Sequence, residues 1–210
     1  IQYFENALRV QRERLGESHL DTLRSLNGLA TAHVSGGSPL LAEPLARHGL
    51  DASQRTLGDK DPLTLQFMQT QAFIAMLLAE SRWTEVEALF LRTLALHREV
   101  LGADGPETLR LISRFGMGYL YHLKPAKAEP LVADALERAR RVLGEKHPIT
   151  CTLMILLSSS YLQMNQPERA KPLGARVLEL RRSTLGDYHP LTLTAIANLA
   201  GVYAVERQFD

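Results

Sequence analysis

The chain has a single cysteine, a single tryptophan and almost no net charge, with 24 Lys and Arg against 23 Asp and Glu over 210 residues. A lone thiol, Cys151, closes no internal disulfide, so nothing calls for an oxidising compartment and a cytoplasmic setting is expected. The charge balance leaves no global field to gather nucleic acid or an anionic membrane, and neither is expected as a partner. No apolar run reaches the roughly 18 residues that a bilayer span requires, the longest candidate lying near Phe73 to Ala79. No basic stretch with a following apolar signal region opens the chain, and Ile1 already sits in a helical pattern, so the sequence is expected to be a segment of something longer.

Chemistry-bearing motifs are missing too. Neither a Gly-x-Gly-x-x-Gly nor a Gly-x-x-x-x-Gly-Lys-Ser/Thr phosphate cradle occurs, and Gly36-Gly37 reads as a turn between helices. His-Glu-x-x-His and Cys-x-x-Cys spacings are absent, and the seven histidines fall at unrelated places, so no metal site is expected. Cys151 and the run Ser158 to Ser160 have no adjacent His and acid, and read as packing residues. No cofactor and no catalysis are expected, and an enzymatic role would need groups from a fused domain.

What the sequence does have is a phrase written five times. Leu15-Gly16, Leu57-Gly58, Leu101-Gly102, Leu143-Gly144 and Leu185-Gly186 recur at spacings of 42, 44, 42 and 42 residues, each leading to a His or Pro a few residues on. Gly tolerates the left-handed backbone just past a helix end, and Pro suits the first turn of the next helix. Each phrase is therefore a helix stop followed by a helix start. Asp61 is a natural N-cap, and His19, His147 and His189 occupy the same capping slot rather than a reactive site. The extra two residues of the 44-residue unit are placed in the turn near Ala79 and Glu80.

Between phrases, apolar residues recur at helical spacing, as in Leu26, Leu29 and Ala30 or Ile196, Leu199 and Ala200. A small residue recurs at Ala30, Ala72, Gly116, Ser158 and Ala200, three positions before His33, Ala75, Tyr119, Tyr161 and Tyr203, where a neighbouring helix can approach closely. A turn such as Asn165-Gln166-Pro167 then opens a second helix, which runs to the next Leu-Gly. Trp83 opens one of these as a packing residue, in a slot also filled by Phe209. Pro44, Pro130 and Pro172 should make the second helix start late or bend, with the later proline in its first regular turn. The expected architecture is all-α: a second helix over 1–15, hairpins over 20–57, 62–101, 106–143 and 148–185, and a first helix within 190–210. Each hairpin buries its apolar face only against its neighbours, so both ends should expose apolar surface at Phe4, Leu8, Leu199 and Tyr203.

The Leu-Gly-x-x-His-Pro junctions, the segment Ala195 to Tyr203 and the Ala-Glu-Pro-Leu segments starting at Ala42 and Ala128 together resemble the tetratricopeptide repeat. Within it they are similar to the 42-residue variety of kinesin light chains and their bacterial relatives. The resemblance covers the whole chain and implies a right-handed α-solenoid whose first helices line a concave groove. The paired asparagines of the kinesin group appear only as Asn27 and Asn198. The middle repeats carry Gln69 and Thr70, Ser113 and Arg114, and Ile155 and Leu156 there, a departure that weighs against the same peptide specificity and against a motor-cargo role.

By that resemblance the inward side chains are Arg24, Asn27, Gln66, Gln69, Arg110, Ser113, Arg114, Tyr121, Gln163 and Asn198, with Met117 and Ile155 among them. Asn and Gln offer both donor and acceptor to the main chain of an extended peptide. Arg24, Arg110 and Arg114 favour carboxylates. The expected function is a non-catalytic scaffold or adaptor holding a protein or peptide partner of acidic character. The competing expectation is an oligomerisation or intramolecular packing module that self-associates through open ends. The basic runs Arg138 to Arg141 and Arg181-Arg182 are read as solvated helix ends.

Overall fold

The computed structural model describes residues 1–78 and 83–206, and every regular element among them is an α-helix. The chain divides into two compact units, Ile1–Val100 and Leu101–Asp210. The first holds α1 (Gln2–Leu15), α2 (Leu20–Ser35), α3 (Pro39–Leu57), α4 (Pro62–Leu78) and α5 (Trp83–Leu101), whose last residue begins the second unit. The second holds α6 (Pro106–Tyr121), α7 (Pro125–Leu143), α8 (Pro148–Gln163), α9 (Pro167–Leu185) and α10 (Pro190–Glu206). The expected turn extension at Ala79 and Glu80, and Phe209, lie outside the described residues.

The junctions behave as their residues dictate. All five junction glycines hold φ between 80 and 87°, a backbone conformation that residues with a Cβ rarely adopt. Beyond them, the backbone N–H groups of Asp21, Ile149 and Leu191 donate to Nδ1 of His19, His147 and His189 at 3.2, 3.2 and 3.1 Å. The N–H of Leu63 likewise donates to Asp61 Oδ1 at 2.8 Å. The histidines are therefore caps, each satisfying one of the donors that a helix start leaves open. A threonine seven residues past each junction leucine adds a second tie in the second unit. Thr108, Thr150 and Thr192 donate through Oγ1 to the carbonyls of Gly102, Gly144 and Gly186, each at 2.8 Å. The same hydroxyls of Thr22 and Thr64 in the first unit are buried without a partner among the described residues.

The inner prolines correct the expectation of a late start. α3, α7 and α9 begin at Pro39, Pro125 and Pro167 and run through Pro44, Pro130 and Pro172. Each later proline therefore sits in the second turn, not the first. All three are exposed, so the carbonyl that loses its N–H partner is close to water.

In the first unit α2 packs on α1, α3 and α4. Its core joins Leu8, Leu23, Leu26 and Leu29 to Ala52, Leu63 and Phe67. A second cluster sets Ala30 and Ile74 against Ala42 and Ala46. The close approach is tightest at Gly49, where an added Cβ would lie 2.1 Å from Cε1 of the fully buried Phe67 ring. In the second unit α8 lies against α6, α7, α9 and α10. The recurring small position works here as well: a Cβ on Gly116 would meet Val132 Cγ2 at 2.6 Å, and Ser158 Oγ donates to the Ala170 carbonyl at 3.0 Å. Ala200 of α10, at the same repeat position, is exposed.

Candidate functional site

The leading helices α2 and α4 of the first unit, and α6, α8 and α10 of the second, turn equivalent side chains to solvent. Nine residues past the junction leucine stand Arg24, Gln66, Arg110, Thr152 and Thr194, all exposed. Residues three, four and seven further on share that helical face.

In the first unit the amides engage each other. Asn27 Nδ2 donates to Gln66 Oε1 at 3.2 Å, and Thr70 Oγ1 donates to Asn27 Oδ1 at 3.3 Å. Arg24 reaches back one turn to Asp21 at 3.4 Å. Arg24, Asn27 and Gln66 thus share the face. Gln69 does not stand on it: at 6% exposure it is part of the interior of α4, a helix buried over most of its circumference.

In the second unit α6 places Arg110, Arg114, Met117 and Tyr121 in one row. Arg110 Nη1 lies 3.1 Å from Glu107 Oε1. Arg114 is partly buried; that burial, and after it the neighbouring Arg110 guanidinium, push the Arg114 guanidinium below its ordinary range, with Glu107 opposing. Tyr121 is 81% exposed, its ring edge-on to His122 at 5.3 Å. Ser113 leaves the face: it is 7% exposed, and its Oγ donates to the Arg110 carbonyl of its own helix at 2.8 Å. Gln163 Nε2 donates to the Leu120 carbonyl at 3.2 Å, tying the end of α8 to the end of α6. Asn198 is exposed and joins Ile155 and Ser159 around a cavity of about 60 Å³ between α8, α9 and α10.

The basic runs need a correction at Arg181, while Arg138 and Arg141 stay open to solvent and also bond an acid of the preceding junction. Arg138 Nη1 and Arg141 Nη2 hold Asp104 at 2.9 and 2.7 Å, and these hydrogen bonds keep the Asp104 carboxyl below the usual carboxylate range. Arg181 is buried and donates to the Leu191 carbonyl in the first turn of α10 at 2.5 Å. Arg182, by contrast, is exposed and pairs with Asp187 at 2.9 Å. Cys151 is buried as expected, and burial raises its thiol above the ordinary value. Two features escaped the sequence reading: the Asp104 clamp and the row of threonines. The threonine was visible as a fixed residue in all five repeats. Among the described residues, no group of three or more His, Cys, Asp or Glu is placed to hold a metal ion, and no helix is long and apolar enough to cross a membrane.

Comparison with known proteins follows the same lines. One tetratricopeptide repeat profile matches residues 120–183, and a second matches 22–63 and 75–107, together more than half of the chain. No match was found among curated proteins. Among solved structures, the chain is similar to BtubC (BKLC) from P. vanneervenii, with 21% identity over 99% of this chain and 82% of that one, at a TM-score of 0.76. It is also similar to the nearly identical TPR-like repeats of a candidate kinesin light chain of Podosopora anserina. There the identity is 22% over 89% of this chain and 87% of that one, at a TM-score of 0.74. Likeness at this identity speaks for the fold, an all-α solenoid of helix-turn-helix repeats, and that fold serves generally as a protein-interaction scaffold. By its repeat matches, its junction chemistry and its helix pairing, this chain belongs to the tetratricopeptide repeat family.

Proposed function

We propose that the chain is a non-catalytic adaptor whose second unit binds an extended, acidic segment of a partner protein along the row Arg110, Arg114, Met117 and Tyr121. The observation that carries this reading is the pairing of Arg110 and Arg114 one helical turn apart, the second partly buried beside the first. Two like charges so placed disfavour each other, Glu107 offsets part of that at Arg110, and a partner carboxylate laid along the row adds charge-assisted hydrogen bonds. Met117 and Tyr121, both exposed, continue the row as apolar contact for the following residues of the segment. Gln163, Ile155, Ser159 and Asn198 supply the neighbouring wall. Arg24, Asn27 and Gln66 of the first unit are a secondary, amide-rich patch. A cytoplasmic partner fits the lone reduced cysteine.

The test compares a glutamate-rich extended peptide with its glutamine counterpart by fluorescence polarisation. Tighter binding of the acidic peptide is expected, with that preference removed by Arg110→Glu with Arg114→Glu and kept by Arg182→Glu. Equal losses at both places would sink the reading.

A second reading, self-association, is favoured by α10. Leu193, Ile196 and Tyr203 are exposed there, whereas their repeat counterparts Cys151, Met154 and Tyr161 on α8 are buried. A mass that rises with protein concentration, and falls with Leu193→Glu, would support it over a simple adaptor.

A further inference from the structure

We propose that Leu123 sets the specificity of the second unit, by receiving an apolar side chain that stands about four residues from the carboxylates of the bound partner segment. The inference rests on the reading of the arginine row given above. Its starting point is a turn that the chain makes in the same way three times. Where α2, α6 and α8 end, the backbone N–H groups of Ser38, Lys124 and Gln166 donate back to the carbonyls of His33, Tyr119 and Tyr161 at 2.9, 2.8 and 2.9 Å. That closure needs a left-handed residue just before the donor. The residues there are Gly37, Leu123 and Asn165, with φ of 75, 53 and 59°. Glycine adopts this conformation freely and asparagine tolerates it, whereas a leucine pays for its Cβ.

Nothing in the fold returns that cost. The Leu123 side chain is 79% exposed, so it gains little by packing on its own chain. The turn does not use it either, because the bonds that close the turn run between backbone groups. Either residue found at the equivalent turns would serve the backbone better. A large apolar side chain held in water on a strained backbone points to a contact made only when something binds.

The neighbours of Leu123 say what that contact is. Two residues earlier Tyr121 is 81% exposed, and one turn before it Met117 is 46% exposed. Two virtual Cα bonds separate Tyr121 from Leu123, so their Cα atoms lie within about 7.6 Å and one inserted side chain can touch both. The corresponding three positions are Thr31, Ser35 and Gly37 at the end of α2, and Ser159, Gln163 and Asn165 at the end of α8. Of these three helix ends, only that of α6 is apolar throughout. It is also the end that continues the arginine row. Arg114 precedes Tyr121 by seven residues, about 10 Å along the helix, a distance that an extended segment covers in about three residues. One residue more brings the segment to Leu123. A segment that is acidic but wholly polar leaves Leu123 in water and is the poorer match.

The experiment pairs fluorescence polarisation with thermal melts of the 210-residue chain and of Leu123→Asn, which copies the residue at the equivalent turn of α8. The probe is a capped, labelled peptide with a Glu-Glu pair at its centre, serine spacers, and a leucine four residues to either side, so that both chain directions present the same spacing. One counterpart has serine for both leucines, and another has glutamine for both glutamates. The wild-type protein should bind the serine counterpart about 3- to 10-fold more weakly than the probe. Leu123→Asn should bind both at the weaker level, and should melt about 2 to 4 °C higher because the turn is relieved. Opposite signs for affinity and stability are what a residue kept only for packing cannot give. The inference is overturned if the wild-type protein ignores the leucines, if Leu123→Asn keeps the preference for them, or if Leu123→Asn melts lower. A mass that falls with Leu123→Asn in the absence of peptide would assign the side chain to a second copy and overturn it as well. Preference for glutamate over glutamine without preference for leucine would leave the arginine row standing and sink this inference alone, whereas no preference for glutamate would sink the row itself.

Discussion

The first unit and the second use the same repeat positions, and they fill them in opposite ways. On the leading helices of the first unit, Asn27, Gln66 and Thr70 bond one another, so the exposed face is polar and largely self-satisfied. On those of the second, Arg110 and Arg114 stand side by side above Met117 and Tyr121, with Glu107 bonded to Arg110 at the start of the row. The position eighteen residues past the junction leucine is reversed as well: at Ala75 it leaves a slot open in a cleft between α3, α4 and α5, and at Tyr161 a buried ring fills it. A shared backbone period therefore does not imply a shared surface. The period fixes where helices start, stop and touch, and the residues it leaves unconstrained are free to differ from unit to unit.

The largest test of that contrast is Tyr161→Ala. Removing a buried ring that also holds Glu129 and Arg169 should cost about 3 to 5 kcal/mol, the range for emptying a packed aromatic site. The first unit already has alanine at this position and is built around the cleft, so Ala75→Tyr should change stability far less. Urea midpoints for the two variants check this directly. Comparable losses would mean that the slot in the first unit is closed in solution.

A second test concerns volume. Gly49 and Phe67 touch in the first unit, and the residues at these repeat positions in the second are Ala135 with Leu153 and Val177 with Ala195. As one side grows the other shrinks. Gly49→Ala should destabilise by about 1 to 3 kcal/mol through overpacking against a ring that has nowhere to move. Adding Phe67→Leu, which reproduces the pairing of Ala135 and Leu153, should recover part of that loss, so the double variant should cost less than the sum of the singles. Strict additivity would show that the two positions are not complementary.

Much of the frame was legible in the sequence because it is written in residues with few alternatives. The Leu-Gly phrases mark helix ends through a backbone conformation that only glycine adopts cheaply, and the histidine and aspartate caps follow from their place after it. The candidate face was only partly legible. Repeat spacing gave Gln69 and Ser113 the same inward position as Asn27, yet α4 and α6 bury more of their circumference than an amphipathic reading allows, and Ser113 bonds its own helix. Arg181 looked like a solvated end but reaches a carbonyl of the following helix, a contact that depends on packing distance rather than on local pattern.

A smaller effect separates the threonines. Thr150→Val removes a hydroxyl that donates to the Gly144 carbonyl at 2.8 Å and leaves that carbonyl without the bond, so a loss of about 1 kcal/mol is expected. Thr64→Val replaces a buried hydroxyl that has no partner among the described residues with a methyl of similar shape, and should be neutral or stabilising. Thermal melts of the two variants should shift in different directions or by clearly different amounts. Equal shifts would show that the hydroxyl of Thr64 also finds a partner in solution.

The smallest effect lies at the junctions themselves, where the two units carry one ion pair with its signs exchanged. In the first unit Lys60, three residues past its junction leucine, bonds Glu99 near the end of the next trailing helix. In the second, Asp104 stands at the position of Lys60 and Arg141 at that of Glu99, with Arg138 added. Hydrogen bonds from Arg138 and then Arg141 lower the Asp104 carboxyl in the folded state. A carboxyl so lowered contributes stability that is present above its ordinary value near 4, and that is lost as pH falls through the folded value. Asp104→Asn should therefore lower the urea midpoint modestly at neutral pH, and the gap to the wild-type protein should close on acidification below about pH 4. High salt should narrow the same gap at neutral pH, since the pair is open to solvent. A gap that stays constant through the acid range would mean that the Asp104 carboxyl acts as a neutral hydrogen-bond acceptor, and the exchange of signs between the two junctions would then be a matter of shape and not of charge.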